Sequence, residues 1–97
     1  MNNTPALETI NNPTFTQYKV PSHSWLEVPY DLLVKLKIEN KITCYSYRNG
    51  NLCYLEEDCD GSMFYAAMKE AGKKYKTTLR FSNYEPLCCS YRRYRAN

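Results

Sequence analysis

Glu56, Glu57, Asp58 and Asp60 crowd around the thiol of Cys59 in the stretch YLEEDCDGSMF, residues 54–64. Carboxylates and a thiol this close could hold a cation, run acid–base hydrolysis or supply a nucleophile. A calcium loop counted from Glu56 puts Gly61 at the sixth position, where a glycine belongs. Ala67 then stands at the twelfth, where a bidentate acid is required, so the loop fails. A hydrolytic carboxylate pair needs two groups at a set separation, one of them with a raised pKa. Here Glu57 and Asp60 crowd Glu56 and Asp58, and the sequence shows no apolar pocket around them. A divalent-metal hydrolase built from Glu56, Asp58 and the single histidine, His23, is the catalytic arrangement that survives. Cys59 makes a poor nucleophile, because flanking negative charge disfavours a thiolate. The simpler reading is structural: Asp60 is expected as the N-cap of a following helix, with the other acids at its positive end.

A second set of residues lies near the C-terminus. Arg80, Arg92, Arg93 and Arg95, with Tyr91 and Tyr94, combine guanidinium groups that seek phosphates with rings that can stack on bases. The competing structural reading is a solvated edge strand whose arginines discourage edge pairing.

These residues depend on the elements that carry them. TQYKV (16–20) reads as an edge strand ended by Pro21, and HSWLEV (23–28) as a strand anchored by Trp25. Pro29 suits a first helical turn, and Leu32, Leu33 and Leu36 share a stripe, so a short helix runs from 30 to about 38, closed by Glu39-Asn40. In ITCYSYRNGNLCYLEE, Asn49-Gly50 reads as a two-residue hairpin turn. It sets Tyr47 opposite Leu52 and Tyr45 opposite Tyr54 on an aromatic face, with Cys44, Cys53 and Leu55 on the other. Met63, Phe64, Ala67, Met68 and Ala71 recur at helical spacing up to a stop at Gly72. KKYKTTLRFSN and LCCSYRRY read as the last two strands, around a turn at NYEP. The fold class is therefore α+β: two short helices on one face of a mostly antiparallel sheet of four to five strands. The order is β-α-β-β-α-β-β, with an extra strand in front, and its core permits a ferredoxin-like layout.

The 97 residues make one domain, expected over 16–97 behind an N-terminal tail at 1–15, with Leu7, Ile10 and Phe15 as its packing contacts. Being 43% hydrophobic and 24% charged, the chain has enough apolar material to fold and no stretch long enough to span a bilayer. The start, MNNTPALETINNPTF, has neither a basic region nor an apolar core and does not read as a secretory signal. Five cysteines, an odd number, do not read as a disulfide framework, and neither CxxC nor HxxxH occurs for zinc. Reduced thiols in a cytosol, with no metal and no cofactor, are the expectation. Charge is divided: residues 1–68 carry five Lys/Arg against eight Asp/Glu, whereas 69–97 carry eight against two. That asymmetry gives a dipolar surface if the fold keeps the two parts separate.

HSWLEVP (23–29), YSYRNGNLCYLEEDCD (45–60) and SYRRY (90–94) resemble a family of small proteins of phages, plasmids and other bacterial mobile elements. Its pattern is a strand with HxWLxVP, a YSY hairpin, YLEEDCD leading into a helix, and a terminal SYxxY. The resemblance covers Ser22 to Tyr94. It brings no catalytic residues with it, and Cys88-Cys89 stands where the family is more basic. It implies a setting: small accessory proteins of mobile elements commonly inhibit host defence by binding a protein or masking a nucleic acid.

The preferred reading is a non-enzymatic binding protein acting on a host protein complex in the bacterial cytoplasm, of the anti-CRISPR or antirestriction type. Its binding residues are Trp25, Tyr45, Tyr47, Glu56, Glu57 and Asp58. One alternative is a nucleic-acid-binding regulator using Arg80, Tyr91, Arg92, Arg93 and Tyr94. The other is the metal-dependent hydrolase built on His23. No membrane partner is expected, and an exposed last strand could pair with its copy in a homodimer.

Overall fold

The computed structural model describes residues 12–97. Most of the expected tail, including Leu7 and Ile10, lies outside the described residues; Phe15, placed at its end, is only 5% exposed in the main core. Strand β1 (Thr14–Lys19) turns through Pro21 and Ser22 into β2 (Ser24–Pro29), and the Val20 N–H closes the turn on the His23 carbonyl (2.9 Å). Helix α1 (Tyr30–Lys35) follows, then a loop, the hairpin β3 (Tyr47–Asn49) and β4 (Leu52–Glu56), and a π-helical turn over Glu57–Gly61. Helix α2 (Ser62–Glu70), β5 (Lys76–Phe81), a 3-10 turn (Leu87–Ser90) and β6 (Arg92–Arg93) complete the chain.

The class is α+β, with one mixed sheet in the order β5-β1-β2-β4-β3-β6. It has six strands, beyond the four to five expected, because the extra front strand joins the sheet and the last segment adds two residues at the other edge. β4 lies antiparallel between β2 and β3, as in a split βαβ unit. β1 then inserts between β2 and β5 and pairs with β5 in parallel, so the ferredoxin-like order is matched only in part. LCCSYRRY forms mainly a helical turn, not the strand expected of it; only Arg92 and Arg93 pair, with Arg48 and Tyr47.

Both helices pack on one face. Leu33 of α1 and Phe64 and Met68 of α2 bury against Phe15, Leu26, Val28, Cys53 and Leu55 of the strands. Alternation along β2 and β4 sends Trp25 and Tyr54 to the opposite face, where Val20 and Cys88 join them in a smaller cluster roofed by Tyr91.

The hairpin register differs from the expected one by two residues. Tyr47 faces Tyr54 and Asn49 faces Leu52, with Gly50-Asn51 as the turn. Gly50 takes φ 63°, the first position of a type II′ turn, which is open to glycine at little cost. A shift of two preserves the faces, so Tyr47 and Tyr54 stay together, opposite Cys53 and Leu55.

The two helices end in the same way. At α1, Lys37 N–H donates to the Val34 carbonyl (2.9 Å) and Ile38 N–H to that of Leu33 (3.0 Å). At α2, Gly72 N–H donates to Lys69 and Lys73 N–H to Met68, both at 3.0 Å. Each is a Schellman closure with its left-handed residue at the same place, Lys37 (φ 63°) in one and Gly72 (φ 68°) in the other. Helix α1 therefore stops ahead of Glu39-Asn40, where the sequence places its end.

Candidate functional site

The acids of the opening stretch have separate duties. Glu56, at the end of β4, is the N-cap: its carboxylate oxygens accept the N–H groups of Asp58 and Cys59, both at 3.1 Å. Asp60, expected in that role, is instead fully buried. Its two oxygens accept the Thr43 N–H (3.1 and 3.0 Å), and one also takes the hydroxyls of Thr43 (2.8 Å) and Ser46 (2.5 Å). The reason is geometric: the π turn carries an extra residue before α2, which rotates Asp60 inward and leaves Glu56 at the amide end. Ser46 also accepts the Glu56 N–H (2.9 Å), so side chains replace the ladder where a longer β3 was expected, and 42–46 is a loop. Glu57 turns to the helix-covered side, where the buried Ser24 hydroxyl donates to it and Gln17 in turn donates to Ser24 (2.9 Å).

On the opposite face, β2, β3, β4 and the hairpin exit enclose a groove of about 330 Å³. Trp25 forms its floor at 8% exposure, with the His23 ring at 5.9 Å and the Tyr47 ring at 6.3 Å between centroids. Tyr45, 64% exposed on the loop, stands at the rim with Glu56, Asp58 and Cys59. Arg93 reaches in from β6, its guanidinium 4.9 Å from the Tyr47 ring centre, and donates to the Cys44 carbonyl (3.2 Å). Burial raises the Tyr47 phenol above its usual range, and nearby Cys89 adds to that while Arg93 opposes it. The Trp25 indole N–H is buried without an acceptor among the described residues.

The groove thus gathers Trp25, Tyr45, Tyr47, Glu56 and Asp58 of the expected binding set and leaves out Glu57. Sequence reasoning missed Arg93 and Cys59 as members of it, and grouped His23 with Glu56 and Asp58 only as a metal site. The register Tyr47 to Arg93 brings the arginine in, and a two-residue strand carries little pattern of its own. Such a surface offers flat apolar contact from the rings, an acidic rim and one fixed cation.

The residues of the nucleic-acid reading are dispersed. Arg80 lies on β5 and Arg92 and Arg93 on β6, at opposite edges of the sheet, roughly 24 Å apart at about 4.8 Å per strand. Tyr91 packs on Tyr54 (5.4 Å between centroids), and Tyr94 is buried with its hydroxyl donating to the Glu39 carbonyl. Neither ring presents a free face comparable to that of Tyr45.

His23, Glu56 and Asp58 line the same groove, yet among the described residues no three His, Cys, Asp or Glu side chains are placed to hold a metal ion. Glu56 is already occupied by the two backbone amides. Among the thiols, burial pushes Cys53 up to about 11 and Cys88 up to about 12, which keeps both protonated at neutral pH. No described helix is long and apolar enough to cross a membrane.

No protein-family model, curated protein or solved structure matches the chain.

Proposed function

We propose that the chain is a non-enzymatic binding protein of a phage or other mobile element, and that the Trp25 groove engages a host protein complex as an inhibitor of host defence. One observation carries this reading: loop, hairpin and strand residues far apart in sequence converge on a groove with aromatic walls and an acidic rim. Aromatic side chains at a partly buried depression are what protein interfaces concentrate at their centres. The acids at the rim favour a partner that presents a basic side chain, which the exposed Tyr45 can cover through its ring face. The resemblance to mobile-element proteins supports the setting, in the bacterial cytoplasm.

The test is affinity capture from bacterial host lysate, with and without nuclease, comparing the natural chain with the double variant Tyr45→Ala, Asp58→Lys. Both positions are exposed, so the fold should persist. The reading expects a captured protein that survives nuclease and is lost from the variant. Equal capture by both proteins contradicts it.

A further inference from the structure

A second groove, of about 610 Å³, lies at the β3–β6 edge and is lined by Arg48, Arg92, Arg93 and Arg95. Among the described residues that line it there is no Asp or Glu. Arg48 and Arg92 are direct cross-strand partners in the register of β3 with β6. Like charges facing each other on neighbouring strands destabilise a sheet unless something neutralises them. The fold nevertheless fixes Arg48 in place. Arg48 donates to the carbonyls of Gly50 (2.8 Å) and Arg95 (2.7 Å), and its guanidinium lies 3.7 Å from the Tyr30 ring centre. Its charge is thus ordered by carbonyls and a ring face, with no Asp or Glu side chain among the described residues lining the groove.

We propose that this arginine groove binds the sugar–phosphate backbone of a nucleic acid. Four guanidinium groups on one strand end and its neighbour make a dense strip of positive charge, and planar forks match phosphate oxygens two at a time. A phosphodiester backbone carries negative charge at comparable density, which an ordinary acidic peptide loop does not. Tyr30 is covered by Arg48 and Tyr94 is buried, so the contact is to phosphates and not to stacked bases. The site keeps Arg92, Arg93, Arg95 and Tyr94 of the sequence reading, leaves out Arg80 and Tyr91, and adds Arg48. It shares only Arg93 with the Trp25 groove, so either site can fail without the other.

The experiment is fluorescence anisotropy with a labelled 20-nucleotide single strand, the matching duplex and a labelled polyglutamate peptide, over a salt series. The natural chain should bind the nucleic acids, with affinity falling linearly in log–log terms as salt rises. Arg92→Glu, Arg95→Glu should weaken binding at low salt at least tenfold and flatten the salt slope by about 2. Since a carboxylate at position 92 would face Arg48, the same variant should melt no lower than the natural chain. Arg92→Gln, Arg95→Gln serves as a second variant should the first fail to fold. No nucleic-acid binding at low salt, unchanged binding by the folded variant, or tight binding of polyglutamate alone would each overturn the proposal.

Discussion

The carboxylate of Asp60 grips Thr43 three times, twice through the backbone N–H (3.1 and 3.0 Å) and once through the hydroxyl (2.8 Å). This fastens the loop before the hairpin to the turn after it, and so holds Tyr45 at the groove rim. Replacing Asp60 by Ala strands the Thr43 N–H and the Ser46 hydroxyl in the interior. Chemical denaturation should show a loss of about 3 kcal/mol, the scale of removing one charged partner from a buried hydrogen-bonded set. A loss under about 1 kcal/mol would mean that the loop is held by Ile38 and Ile42 alone.

Lys37 and Gly72 hold the same backbone position in two Schellman closures, but only Gly72 does so without a side-chain penalty. Lys37→Gly should stabilise the protein by about 0.5 to 1 kcal/mol, and Gly72→Ala should destabilise it by about 1 kcal/mol. Thermal unfolding reads both. Opposite signs support the shared geometry, whereas a loss at both positions contradicts it.

Burial raises the thiols of Cys53 to about 11 and Cys88 to about 12, from an ordinary 9.0. Both are neutral when folded, so the stability they confer is complete below pH 9 and declines as pH rises from there through 11 to 12. Melting temperature measured from pH 8 upward should hold level and then fall above about pH 9. Thiol reagents at about pH 8 should modify the exposed Cys44 and Cys59 ahead of the buried Cys53 and Cys88, which packing protects. Equal modification at all these positions would contradict the packing.

Much of this fold is visible in residue patterns. Trp25, Leu26 and Val28 alternate or saturate as a central strand does, Gly72 marks a helix end, and the Asn-Gly-Asn turn marks the hairpin. The aromatic and acidic groove residues were legible because rings cluster near Trp25 and the hairpin. What the pattern hides is set by long-range partners. Asp60 reads as a cap from its neighbours, and only the distant Thr43 and Ser46 pull it inside. Tyr91 and Tyr94 look free beside their arginines until Tyr54 and Glu39 cover them. Arg48 joins Arg92 through strand pairing and reaches the Arg95 carbonyl beyond it, which the spacing of a two-residue strand cannot announce.

Whether the groove around Trp25 contacts a host protein is decided by site-directed photocrosslinking. A photoreactive phenylalanine analogue at Tyr45 samples the rim, while the same analogue at Tyr84, 81% exposed outside the groove, serves as control. One nuclease-resistant protein adduct is expected from Tyr45 in host lysate and none from Tyr84. Equal adducts at both positions, or none at Tyr45, would contradict it.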